Sequence, residues 1–193
     1  EYSSYSAINY SITTNTQYPN QNLFIDGNVE IISGILDLQG CRIVVNPHTP
    51  PYTITVKSGG TLIMNEFELI NSSGTTHIPT HIFACSTMWG GIINDGGTLD
   101  LYAAKTAFTK IEDALIAIDS EGGNVQVRYS TFDHNGLGIL IDGTNISVNN
   151  QSRINGCEFL CTDGTISRSP LAGTIPNEHV VLNGINFNFP LGT

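Results

Sequence analysis

The sequence predicts an all-β chain wound into a right-handed parallel β-helix, and three observations carry that expectation. Polarity comes from Asn, Ser, Thr and Gly rather than from charge: charged residues are 12% of the 193 residues, against roughly 25% in an ordinary soluble domain. Short stretches alternate apolar and freer residues at period two, the mark of a strand with one buried face. Those stretches also recur in a fixed order, as a solenoid requires and a β-sandwich does not.

The clearest repeat is a Gly-Gly turn followed by such a strand: GGTLIM at 59–64, GGTLDL at 96–101 and GGNVQV at 122–127. Its inward pairs are Leu62/Met64, Leu99/Leu101 and Val125/Val127. A second repeat is Ile-rich and ends in Asp: WGGIIND at 89–95, ALIAIDS at 114–120 and LGILIDG at 137–143. A looser third is centred on Phe67, Phe108, Phe132, Phe159 and Phe187. The Gly-Gly starts lie 37 and then 26 residues apart, within the range of solenoid coils. The longer interval holds the Ser/Gly/Thr/Pro-rich stretch Ser72 to Pro79, read as an inserted loop. Upstream, VEIISGILDL, CRIVV and YTITV keep the rhythm. Downstream it survives in ISV at 146–148, HVVL at 179–182 and INFNF at 185–189, with 163–178 read as an excursion. About seven rungs at ~4.8 Å each give a rod near 34 Å long.

Composition narrows the function. Seventeen acidic residues against seven basic ones give a formal net charge of −10, without the basic stripe that nucleic-acid binding needs. No apolar run approaches the ~20 residues of a membrane span, so membrane insertion is not expected. The chain begins at Glu1 and shows no basic-then-apolar leader. It reads as one β-helix domain over 1–193, a mature or excised part of a longer secreted protein. Cys41, Cys85, Cys157 and Cys161 lack zinc-type spacing and read as small buried hydrophobes, with a Cys41–Cys85 or Cys85–Cys157 bridge between rungs left open.

The residues from about Phe24 to Asp142 resemble the β-helical regions of large secreted surface proteins of Bacteroidetes. The resemblance rests on GNVEIISGILDL, ITVKSGGTL, CSTMWGGI and GGTLDLYAAKTAFTKIEDALIAI, chiefly on Cys85, Met88, Trp89, Gly91 and Ile92 in that order. It implies a pectate-lyase-like helix, extracellular or cell-surface placement, type IX export, and a role in adhesion, matrix or polysaccharide handling. The C-terminal sorting domain frequent in that group is not visible here.

Candidate site residues follow from which positions face outward. The column beside the Gly-Gly turns contains Ile63, Asp100 and Gln126, flanked by Asn65, Tyr102 and Arg128, and Asp100, Tyr102 and Arg128 are taken as ligand-binding candidates. In YSTFDHN at 129–135, Asp133 and His134 are further candidates for handling a sugar. The competing and preferred reading makes Phe132 core, Asn135 a corner cap, and Asp133 and His134 solvated turn residues, because adjacent strand residues point to opposite faces. Trp89 is a sugar platform or, preferably, a packing residue. Asp95, Asp119 and Asp142 would hold calcium only if they stack along one edge; capping of their own turns is preferred. His77 and His81 in HIPTH have zinc-like spacing but no third ligand in sequence. No metal site and no catalytic residue is assigned, and calcium is the only cofactor left open. The expected partner is a polysaccharide or cell-surface glycan, with self-association through the solenoid ends as a further option. Three functions stay in play: a non-catalytic adhesion, glycan-binding or scaffold module; a polysaccharide lyase or glycoside hydrolase; and a fibre subunit.

Overall fold

A computed structural model describes residues 5–105, 107–142, 152–162, 164–176 and 178–183. Its strands form three parallel sheets. Sheet A contains Ser6–Ala7, Asn22–Ile25, Arg42–Val45, His81–Ala84, Thr109–Glu112, Ser130–Asp133 and Glu158–Leu160. Sheet B contains Ser11–Ile12, Val29–Ile31, Thr53–Lys57, Gly91–Asp95, Ile116–Ser120, Leu137–Asp142 and Glu178–Asn183. Sheet C contains Thr16–Pro19, Gly34–Gln39, Gly60–Asn65, Thr98–Tyr102, Asn124–Arg128 and Arg153–Asn155. Apart from one hairpin, the chain visits A, B and C in unbroken rotation. That is a right-handed parallel β-helix, the hand expected where parallel strands are joined by crossovers.

Register makes the repeats physical. In sheet C, Leu36, Leu62, Leu99 and Val125 stack in one inward column, and Leu38, Met64, Leu101 and Val127 in the next; all eight are fully buried. Sheet B stacks Ile54, Ile92, Ile118 and Ile139. Sheet A stacks Leu23, Ile43, Ile82, Ile111, Phe132 and Phe159, and the last two rings lie 5.0 Å apart and nearly parallel. Like over like removes each aliphatic side chain from water at about 1.5–3 kcal/mol apiece.

The Gly-Gly turns close the corner between B and C. A Cβ on Gly123, where φ is +71°, would stand 2.0 Å from the carbonyl oxygen of Gly97 one rung below, and Gly60 and Gly97 are blocked by backbone oxygens as well, so the second glycine of each pair recurs because there is no room for a side chain. At the corner before the Ile-rich strand, Gly91 has φ +103°, and a Cβ there would meet the Ile116 oxygen at 1.6 Å.

Several expectations need correction. Ser72 to Pro79 is not a loop: Phe67–Asn71 and Gly74–Ile78 pair antiparallel as a hairpin projecting from the coil, and Asn71 Oδ1 accepts the Ser73 N–H to turn it. Phe67 therefore lies in the hairpin, and Phe108 precedes its sheet A strand, so neither belongs to the Phe132 column. The Ile-rich strands align on isoleucine, not on aspartate: Asp119 stacks on Ile93 and under Leu140, while Asp95 pairs with Lys57. Cys41 is a buried free thiol whose Sγ donates to the Tyr18 carbonyl, and Cys157 is also a free thiol. Neither proposed bridge forms. The HVVL run lies in Glu178–Asn183; Phe187, ISV and INFNF fall outside the described residues.

Candidate functional site

The five ligand-binding candidates fall into two groups. Asp100, Tyr102 and Arg128 sit on the outward face of sheet C, on adjacent rungs, with Asp100 opposite Gln126 and Tyr102 opposite Arg128. The Arg128 guanidinium lies 4.6 Å from the centre of the Tyr102 ring, and its terminal nitrogen is 3.9 Å from Asp100 Oδ1. Tyr102 is 40% exposed. Arg128, Gln126, Ser152 and Arg153 line an open polar depression beside them. Lower on the same face Gln17 and Gln39 both donate to Asp37 Oδ2, at 3.1 and 2.9 Å. Burial pushes the Asp37 carboxyl upward against those two hydrogen bonds. The face is thus a polar ladder with amides and a carboxylate at one end and two arginines at the other.

Asp133 and His134 belong to a second group on sheet A, and the solvated-turn reading of them is overturned: they are 3% and 7% exposed. The strand ends at Asp133, and His134 takes φ +53°. That left-handed step breaks the alternation of faces, so His134 Nδ1 comes within 3.1 Å of Asp133 Oδ1. Phe132 is core and Asn135 is the corner cap, as expected: its Oδ1 accepts the Ala114 N–H and its Nδ2 donates to the Ile111 carbonyl.

Four partners were missed by sequence reasoning. Glu112 lies one rung below Asp133 and in register with it. Lys110 Nζ bridges the two carboxylates, 2.9 Å from Asp133 Oδ2 and 3.3 Å from Glu112 Oε2. His81, another rung below, places Nε2 2.8 Å from Glu112 Oε2, and Thr162 gives Asp133 a hydroxyl at 2.9 Å and a backbone N–H at 3.3 Å. The hydrogen bond from His81 outweighs burial and, with Lys110 beside it, holds the Glu112 carboxyl down to about 2. Burial alone would raise Asp133, but Lys110 and Thr162 reverse that and lower it. The usable signal was the pairing of TKIE at 109–112 with STFD at 130–133, whose outward residues superpose when the inward Ile111 and Phe132 are aligned.

This group is poorly suited to glycoside hydrolysis. That chemistry needs one carboxyl kept protonated near neutral pH as a general acid, and both carboxyls here are shifted the opposite way. Nor is Trp89 a sugar platform: it is 2% exposed and its indole N–H donates to the Glu112 carbonyl. The three aspartates do not stack as a calcium edge, since Asp119 lies between Ile93 and Leu140; Asn94, Ser120 and Ile141 align, so Asp95 and Asp142 share a register position with Glu121 between them, and Asp95 pairs with Lys57 at 2.8 Å. The two histidines of HIPTH part company, His81 to Glu112 and His77 to Glu66 and Glu68. Two sets of side chains bring ligand atoms close enough to share a metal ion: Glu112, Asp133 and His134, and Glu66, Glu68 and His77. Among the described residues no helix is long and apolar enough to cross a membrane.

No protein-family model matches the chain, and neither a curated protein nor a solved structure does.

Proposed function

We propose that this β-solenoid is a non-catalytic extracellular or cell-surface module that binds glycans along the outward face of sheet C. The observation that carries the reading is the Tyr102–Arg128–Asp100 arrangement beside the polar depression. A sugar offers an apolar C–H face and a rim of hydroxyls. A half-exposed aromatic ring next to fixed charged and amide groups answers both. The rungs hold these groups on paired strands rather than on loops, which lowers the ordering cost of binding. The resemblance of the residue pattern to secreted surface proteins of Bacteroidetes is what supports an extracellular setting and type IX export in this reading. The hydrolase alternative is disfavoured by the charge state of the Glu112–Asp133 pair. No described feature favours assembly through the solenoid ends.

The test is a binding screen of the purified chain against neutral and acidic glycans, run beside an assay for new reducing ends or unsaturated sugars with and without calcium. Binding is expected without turnover. Tyr102→Ala and Arg128→Ala should each weaken it by about tenfold or more, the ~1.4 kcal/mol scale of one charge-assisted hydrogen bond. Turnover by homogeneous protein, or binding indifferent to both substitutions, would overturn the reading. Sedimentation of the same samples separates binding from end-to-end assembly.

A further inference from the structure

The geometry points to a zinc-type divalent-cation site at the root of the side hairpin, formed by Glu66, Glu68 and His77. Glu66 follows the sheet C strand Gly60–Asn65, Glu68 lies in the first hairpin strand, and His77 is the direct cross-strand partner of Glu68. Residues two apart on a strand share a face, so both carboxylates and the imidazole converge on one side of the hairpin.

Glu66 is the fixed member. Its side chain is 9% exposed, and its Oε2 accepts the Ala104 N–H from the next rung. Its Oε1 lies 3.4 Å from His77 Nδ1, and Glu68 Oε1 lies 3.8 Å from the same nitrogen. Both separations exceed a hydrogen bond. His77 Nδ1 is nonetheless closed off from solvent and makes no hydrogen bond. It is a buried nitrogen between two carboxylates that it does not bond. Among the described residues no lysine or arginine pairs with either carboxylate.

Those spacings fit a metal better than a proton. Around a tetrahedral zinc with bonds of about 2.0–2.2 Å, neighbouring ligand atoms stand about 3.3–3.6 Å apart. All three ligand atoms here lie within 4.8 Å of one another. A nitrogen donor in a set of three favours zinc over calcium or magnesium, which prefer six or more oxygens. Glu68 is 56% exposed, so the fourth position opens to water. The ion would join both hairpin strands to a carboxylate anchored on the coil.

The experiment uses the full chain, stripped with chelator and dialysed against zinc, with cobalt as a spectroscopic probe. One zinc per chain is expected, and cobalt should give the visible absorption of a four-coordinate site. Glu68→Gln and His77→Gln, both at partly exposed positions, should fold as the parent does on circular dichroism. Each should lose more than the ~10–100-fold in affinity that outer-shell changes cost. Glu112→Gln, in the other carboxylate–histidine group, should leave zinc binding unchanged. Failure to hold zinc at micromolar free concentration would overturn the proposal. Equal affinity in the parent, Glu68→Gln and His77→Gln would overturn it as well.

Discussion

Among the described residues two groups of two carboxylates and one histidine stand close together, built from the same chemistry in different settings. Glu112, Asp133 and His134 lie on the coil, where rungs stack in register. Glu66, Glu68 and His77 lie at the hairpin, which leaves the stack. On the coil, a residue always has a neighbour above and below, and Lys110, between His81 and Thr131 in its own column, supplies a cation to both carboxylates. Burial would weaken that ammonium, but the hydrogen bond to Asp133 and the charge of Glu112 hold its pKa above the ordinary value. The hairpin has no further rung to supply a lysine, and its carboxylates meet only the histidine and, for Glu66, the Ala104 N–H. The difference teaches that register, more than composition, decides whether a carboxylate cluster is neutralised from within.

The largest expected effect comes from erasing that difference. Lys110→Met leaves Glu112 and the nearly buried Asp133 without their shared cation. Loss of one partner of a buried charge pair costs about 3 kcal/mol, read as a lowered midpoint in denaturant unfolding. If the comparison holds, a divalent cation should restore part of that loss in the variant and none in the parent. A cost near zero would mean that His81 and His134 already balance the site.

A smaller effect sharpens the contrast through pH. The Glu112 pKa is lowered in the folded chain, from 4.5 to about 2. Its contribution to stability is therefore complete above about pH 4.5 and is lost as pH falls toward 2. Asp133 shifts in the same direction. Unfolding midpoints should fall across that window, by the equivalent of roughly 2–3 kcal/mol for Glu112, and Glu112→Gln should flatten the profile. The smallest effect belongs to the hairpin. In metal-free protein His77→Gln should change stability by no more than about 0.5 kcal/mol, as for an ordinary surface substitution, measured by the same denaturant titration.

How much of this the sequence revealed depends on which corner one asks about. The Leu-x-Leu and Val-x-Val strands after the Gly-Gly turns were legible, because tight turns of near-constant length preserve register. Asp100, Tyr102 and Arg128 were accordingly placed on one face from sequence alone. In the aspartate edge Asp119 was misplaced because the strands were aligned on their most conspicuous polar residue, whereas packing aligns Ile92, Ile118 and Ile139 and so puts Glu121, not Asp119, level with Asp95 and Asp142. Lys110, Glu112 and His81 stayed hidden for a related reason. Lys110 and Glu112 share one strand, but His81 and Asp133 meet them from the rungs on either side across unequal lengths of chain, so no fixed spacing links the group. Asp133 and His134 were named, but their burial was not foreseen, since it depends on a single left-handed residue and on Thr162 arriving from the next rung.

The three corners of the coil differ in the length of chain they carry. Between sheets B and C the gap is two residues from Ile31 to Gly34, from Lys57 to Gly60 and from Asp95 to Thr98, and three from Ile12 to Thr16 and from Ser120 to Asn124, before it lengthens from Asp142 to Arg153. Between C and A it runs from the single Tyr129 to the whole stretch from Asn65 to His81, and between A and B it reaches from Leu160 to Glu178. Through the first five coils one corner keeps time while the other two accept cargo. In mechanical terms the glycine corner is a recurrent spine, and the hairpin with its histidine is an insertion that the pitch of the coil absorbs without a change of step. New chemistry can therefore be added at either of the two permissive corners, one coil at a time, while the aliphatic columns beneath stay in line.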